Sequence, residues 1–167
     1  MTAEVVACGQ RQDKPHVLIR MFFENCFFVL KSFIKIIQEN IQSLAELATS
    51  EGGKPITDSI IEIKRGAEGV ETCIEVLKSE SGTVIHMNIN EASSNRIAFT
   101  QKEPIGVVLA ISAFNHPFNL IIHQVIPAIA VGCPVIVKTA EDTPLSCLKI
   151  VEMLYEAGLP KNRCHFI

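Results

Sequence analysis

Val107-Val108-Leu109-Ala110-Ile111, followed by the polar turn Ser112-Ala113-Phe114-Asn115-His116-Pro117, a helical apolar stretch to Val131 and the run Val135-Ile136-Val137, decides the fold. Pro104 to Val137 contains no Asp, Glu, Lys or Arg. Such a length admits a transmembrane helix. However, Asn115, His116, Pro117, Asn119, His123, Gln124, Pro127 and Pro134 would bring polar groups and helix breakers into hydrocarbon. A buried strand, turn, helix and strand accommodates the same residues: Leu120, Ile121, Val125, Ala128 and Ile129 recur at helical spacing, and Gly132 ends the helix.

Downstream the alternation continues. Thr143 is a good N-cap with Pro144 at the first helical position. The helix through Leu148, Val151, Leu154 and Tyr155 stops at Gly158, and His165-Phe166-Ile167 begins a third strand. Strands alternating with helices predict an α/β fold with a parallel sheet. Ligands of such sheets bind beyond the carboxyl ends of the strands. That singles out Ser112-Ala113-Phe114-Asn115 and Lys138-Thr139-Ala140-Glu141.

Upstream, Leu30, Phe33, Ile34, Ile37, Ile41, Leu44 and Ala48 predict one helix with a buried face, stopped by Gly52-Gly53 and Lys54-Pro55. A second helix starts near Thr57 or Ser59, where Ser59 and Glu62 resemble a capping box. Its apolar line is Ile60, Ile63, Ala67, Val70, Ile74 and Leu77. Glu62, Arg65, Glu68, Glu71, Glu75 and Lys78 fall on what the period makes the wet side. Thr83–Met87 and Arg96–Thr100 read as strands of a hairpin.

Composition excludes several functions. The chain has 167 residues, 48% hydrophobic and 20% charged, with a net charge of −3. It is long enough for a core and carries no basic footprint for nucleic acid. Cys8, Cys26, Cys73, Cys133, Cys147 and Cys164 form no Cys-x-x-Cys pair, and with the histidines they make no metal-ligand spacing. Together with a start that lacks a signal-peptide pattern, this predicts a reduced, cytoplasmic protein. Val17–Ile37 holds five phenylalanines between Phe22 and Phe33, but Arg20, Glu24, Lys31 and Lys35 interrupt it, so no membrane span is expected. Cys133, beside Pro134, is read as a small buried side chain, and His116 and His123 as structural.

Glu103-Pro104-Ile105-Gly106-Val107-Val108, Ala113-Phe114-Asn115-His116-Pro117-Phe118-Asn119, Pro127-Ala128-Ile129-Ala130-Val131-Gly132 and Val137-Lys138-Thr139-Ala140-Glu141 resemble the opening of the dinucleotide-binding domain of the aldehyde dehydrogenase superfamily. Thr143-Pro144-Leu145, Glu156-Ala157-Gly158-Leu159-Pro160 and, upstream, Glu51-Gly52-Gly53-Lys54-Pro55 extend the resemblance to Leu30–Ile167. It implies a partial Rossmann-like parallel sheet preceded by N-terminal helices and a β-hairpin. The implied segments are a divergent 1–28, helices plus hairpin of the oligomerisation type over 29–103, and the first part of an NAD-binding domain over 104–167.

The resemblance also implies roles. Asn115 matches the amide that holds the oxyanion formed on the aldehyde. Lys138 and Glu141 match the pair that holds the adenosine ribose hydroxyls, a carboxylate there favouring NAD, with NADP possible. Ile111, Ser112, Ala113 and Phe114 match the lining of the cofactor cleft. The implied partners are an aldehyde and a dinucleotide, with a homo-oligomer expected. The family's nucleophilic cysteine, general-base glutamate and glycine-rich pyrophosphate turn match nothing here, and Thr139 stands where proline is usual. The chain is therefore read as the N-terminal part of such an enzyme, inactive by itself; the rival reading is a non-catalytic protein pairing with a full-length homologue through the strands near Thr83–Met87 and Arg96–Lys102.

Overall fold

The computed structural model describes residues 2–7, 15–94 and 96–167, with side chains from residue 25 onward. Three parallel strands, β4 (Val108–Ile111), β5 (Val135–Lys138) and β6 (Cys164–Phe166), lie in the order β4-β5-β6. Val108 pairs with Val135, and Val135 with Cys164. Helix α4 (Asn119–Ala130) joins the first two strands and α5 (Pro144–Glu156) the next two. The expected parallel α/β unit is present.

Val108, Ala110, Val135, Val137 and Cys164 point into one core with Ile121, Val125, Ile150 and Leu154. Their neighbours Leu109, Ile111 and Ile136 point the other way and are 57%, 55% and 36% exposed. The strand read as buried is thus buried on one face only: among the described residues β4 is an edge strand, and helices cover one side of the sheet. The outer rim of β4 is closed by a side chain. Gln124 of α4 donates from Nε2 to the Ile111 carbonyl and accepts at Oε1 from the Ile111 N–H, both at 2.9 Å, as a neighbouring strand would.

The helical layer differs from its reading in three places. α1 (Pro15–Glu39) begins far upstream of Leu30 and ends before α2 (Ile41–Gly52), so the single predicted helix is two. The break is at Asn40, whose side chain donates back to the Ile36 carbonyl at 2.8 Å, the local bonding by which asparagine competes with the helix. α2 ends as expected, at Gly53 with φ 69° and its N–H on the Thr49 carbonyl. α3 (Ile56–Ser79) follows Pro55 without a capping box. Ser59 is instead buried, its hydroxyl 2.8 Å from that of Thr49 on α2.

α3 lies close against α4 because it is glycine-lined there. A Cβ at Gly66 would come within 2.9–3.0 Å of the Phe118 ring and Ile122, and one at Gly69 within 3.2 Å of the His123 ring. The hairpin forms with shifted bounds, β2 (Val84–Ile85) being shorter and β3 (Ala98–Pro104) later than read, with Val84 opposite Phe99. A turn in which Ser93 N–H donates to Asn90 Oδ1 at 3.0 Å occupies the chain between them. β1 (Thr2–Ala7), a strand that the hydrophobic pattern does not announce, pairs antiparallel with the other edge of β3. Among the described residues no helix is long and apolar enough to cross a membrane.

Replacing Gly66 by valine forces α3 and α4 apart. We expect a loss of about 1–3 kcal/mol in urea-unfolding stability; a midpoint equal to the parent's would contradict the close approach.

Candidate functional site

β4 and β5 end in register, Ile111 opposite Lys138, and the Ser112 N–H donates to the Lys138 carbonyl at 2.9 Å. The two loops singled out from the sequence therefore leave the sheet side by side. A further bond ties them: the Thr143 hydroxyl donates to the Phe114 carbonyl at 3.1 Å. Thr143 holds the N-cap position of α5, as expected, but this bond uses its hydroxyl, and the helix start is capped from elsewhere.

The candidate residues divide by exposure. Ser112 is buried and Ala113 half-buried, whereas Ile111, Phe114, Asn115, Lys138 and Glu141 are exposed. Among the described residues the Asn115 amide makes no hydrogen bond, and Lys138 and Glu141 form no ion pair; Lys138 Nζ reaches only the Thr139 carbonyl at 3.4 Å. The edge thus presents one free amide, one ammonium and one carboxylate above apolar Ile111 and Phe114. Such a set can donate to an oxygen that gains negative charge and can accept from hydroxyl groups.

What fixes these loops lies in the helical layer. The reading that places Glu62 on the wet face of its helix is wrong: the residue is 2% exposed. Glu62 Oε1 accepts the N–H groups of Phe118 and Asn119 at 2.8 and 2.9 Å, the first donors of α4. Its Oε2 pairs with Lys54, and His116 Nδ1 lies 3.6 Å away. A carboxylate there satisfies N–H groups that have no partner within the helix and meets the positive end of the helix dipole. Burial pushes the Lys54 ammonium below the ordinary lysine range, while Asp58 and Glu51 pull it back up.

Glu51 does the same for α5. Its two oxygens accept the N–H groups of Leu145 and Ser146 at 2.7 and 2.8 Å, the positions a capping side chain normally serves. Neither glutamate could be found by periodicity, because the partners lie 56 and 94 residues away. The only sequence signal is the pair of helix starts after Pro117 and Pro144, which need acceptors from somewhere.

The described cysteines are not poised as nucleophiles. Burial raises the Cys26 and Cys147 thiols to about 11 and that of Cys164 to about 12, and raises Cys73 as well. Cys133 is buried, as read from the sequence; Cys8 lies outside the described residues. No group of three or more potential metal ligands occurs among the described residues.

A family model described as the aldehyde dehydrogenase family matches residues 23–167. A 3-sulfolactaldehyde dehydrogenase of Priestia aryabhattai is 40% identical over 135 residues, 81% of this chain and 28% of that enzyme. The human mitochondrial succinate-semialdehyde dehydrogenase is 36% identical over 134 residues, 80% of this chain and 24% of that enzyme. Among solved structures, an NADP-dependent glyceraldehyde-3-phosphate dehydrogenase from Bacillus halodurans, complexed with NADP, superposes with TM-score 0.83 at 28% identity over 90% of this chain and 33% of that one. Aldehyde dehydrogenase 21 of Physcomitrella patens gives TM-score 0.81 at 29% identity over 90% of this chain and 32% of that one. The chain therefore spans about a quarter to a third of the length of these relatives.

Glu62→Ala strands a buried ammonium and two helix donors together, so we expect a loss of about 3–5 kcal/mol in urea unfolding; a loss below ~1 kcal/mol would show that Lys54 and the α4 start find other partners. Cys26, Cys147 and Cys164 should resist iodoacetamide at pH 8 in the native chain and react once it is denatured. Because their native thiols hold protons that unfolded thiols release above the ordinary value of 9.0, stability should fall as pH rises past 9. Native-state alkylation of Cys164 at the rate of a small thiol would refute its burial.

Proposed function

The chain belongs to the aldehyde dehydrogenase family, and from that premise we propose that it supplies the adenosine-side wall of an NAD pocket and one oxyanion-holding amide to an enzyme that oxidises an aldehyde to its acid. The observation that carries this reading is the junction of two loops at the carboxyl edge of the parallel sheet, with an unengaged Asn115 amide on one and unpaired Lys138 and Glu141 on the other.

Asn115 donates to the aldehyde oxygen as negative charge builds on it during nucleophilic addition to the carbonyl. A fixed donor at that point favours the transition state over the ground state. Lys138 donates to, and Glu141 accepts from, the adenosine ribose hydroxyls, and the Glu141 charge opposes a 2′-phosphate, which favours NAD over NADP. Ile111 and Phe114 offer apolar surface to the dinucleotide. A dinucleotide held there would supply the acceptor for the hydride that leaves the aldehyde carbon. Burial raises the thiols of Cys26, Cys73, Cys147 and Cys164 and encloses that of Cys133, and in this reading the chain is inactive unaided. The complete enzyme is soluble, cytoplasmic and a homo-oligomer in this reading.

A second reading, a non-catalytic chain that pairs with a full-length homologue, draws on the hairpin: Val84 and Ile97 are 78% and 80% exposed, with Phe99 at 43%. Size-exclusion chromatography with a full-length relative tests it, and two separate peaks remove it.

The catalytic reading is tested by exchanging residues 30–167 for the matching segment of the Priestia enzyme. We expect NAD-dependent aldehyde oxidation by the chimera, an about 100–1,000-fold fall in kcat for Asn115→Ala, and a raised KM for NAD in Lys138→Ala and Glu141→Ala. The 167-residue chain should show no turnover and little or no NADH fluorescence change. Turnover by that chain, or wild-type kcat in Asn115→Ala, would overturn the reading.

A further inference from the structure

Helix α4 starts at the carboxyl edge of the parallel sheet and runs back for 12 residues, about 18 Å, so its end lies by the amino edge. There a groove of about 930 Å³ opens between the ends of α4 and α3, the chain leading into β2, β3 and the middle of α1. Its lining includes none of the carboxyl-edge loops and none of the exposed apolar residues Val84, Ile97 and Phe99 of the hairpin.

The lining divides by chemistry. Phe27, Leu77, Pro127, Ala130 and Val131, from the three helices, make an apolar wall. The polar lining comes from Lys78 to Ser81 and from Gln101 and Lys102 of β3. These two stretches lie against each other: the Thr83 N–H donates to Thr100 Oγ1 at 2.9 Å, and a Cβ at Gly82 would meet the Thr100 carbonyl oxygen at 1.7 Å. Phe28 and Val76 also face the groove and are 67% and 50% exposed, so its apolar side is wet.

The charges of the lining do not balance. Glu80 and Lys102 pair with each other at 2.5 Å. Lys78 forms no ion pair among the described residues, and its ammonium stands 5.7 Å from the centroid of the Phe27 ring. Lys31, 4.6 Å from the same ring, forms none either. One positive charge of the lining is therefore unanswered, and it sits where the polar and apolar walls meet.

The volume falls within the range of small-ligand cavities, about 300 to 1,000 Å³, whose walls are mostly apolar with a few polar groups. A nucleotide or sugar would set many polar atoms against the helical wall without partners. A plain hydrocarbon leaves Lys78 unanswered, and a cationic amphiphile opposes it. An acid with a hydrocarbon tail suits both walls, since burial of the tail and a charge-assisted hydrogen bond to the head are gained together.

We propose that this groove binds a free amphipathic acid of the fatty-acid type, its hydrocarbon chain along Phe27, Leu77 and Val131 and its carboxylate on Lys78. The length of α4 separates the groove from the Asn115 turn, so the site stands apart from the reacting carbonyl and does not depend on the catalytic reading.

The test is a titration of the 167-residue chain with sodium dodecanoate below its micellar concentration, followed by calorimetry and ¹⁵N–¹H chemical shifts. We expect one-to-one binding, with saturating shifts at the Gly82, Gln101 and Val131 amides and none at Leu109 and Ile136 on the exposed sheet face. Decanoate should bind about tenfold more weakly, having two fewer methylenes to bury. 1-Dodecanol should also be about tenfold weaker for want of a charged head, and dodecyltrimethylammonium should leave the three amides in place. Lys78→Gln should reduce dodecanoate to the affinity of dodecanol and leave dodecanol unchanged. Val76→Glu, at a half-exposed position, should abolish the binding of both. No saturable binding, parent affinity for dodecanoate in Lys78→Gln, equal affinity for dodecyltrimethylammonium, or equal shifts at Leu109 and Ile136 would overturn the proposal. Sedimentation with phosphatidylglycerol vesicles in the absence of any shift with free dodecanoate would assign the groove to a membrane surface and overturn it too. In the chimera, Lys78→Gln should keep the parent kcat and KM for NAD; a tenfold change in either would refute the separation of this site from catalysis.

Discussion

A single buried carboxylate, Glu62, organises the junction on which the rest of the chain is built. It is donated by α3, neutralised by Lys54 from the loop before that helix, and spent on the first N–H groups of α4. A carboxylate taken out of water is tolerable only with a counter-charge and saturated hydrogen bonds. Here one group provides the acceptor that α4 lacks and receives the charge that Lys54 carries. The start of α4 is thereby fixed against α3, and with it the turn from Ser112 to Pro117. Gly66 and Gly69 allow this by letting the two helices approach to distances that a Cβ would forbid.

Glu51 repeats the device one helix later, so both loops at the carboxyl edge are held from outside the sheet by glutamates of the helical layer. The Thr143 to Phe114 bond then links the loops to each other. Both helix starts are capped by these glutamates, and among the described residues the Asn115 amide makes no hydrogen bond and Lys138 and Glu141 form no ion pair.

The sheet itself is half dressed. Alternate residues of β4 and β5 are buried under α4 and α5, and the intervening Leu109, Ile111 and Ile136 meet solvent. Exposed apolar surface in a continuous row is what a further layer of protein covers in larger α/β domains. A chain spanning about a quarter to a third of its relatives is consistent with that geometry. Gln124 shows how the fold manages the β4 rim, one of the two that no neighbouring strand closes among the described residues, by supplying a side-chain amide in place of a backbone one.

Hydrophobic periodicity and turn residues by themselves determined the strand, helix, strand order from Val108 to Phe166, the stop at Gly53 and the two loops at the carboxyl edge of the sheet, because these depend on contacts within a few residues. The motifs around Asn115 and Lys138 made the family legible for the same reason. Only the tertiary structure decided that Glu62 is buried rather than wet, that Glu51 caps a helix 94 residues away, that Asn40 divides α1 from α2, and that β1 joins the hairpin. Each depends on a partner distant in sequence or on a choice between local bonds that periodicity does not rank. A charged residue on a helix reads as solvated until the structure reveals which helix end requires its charge.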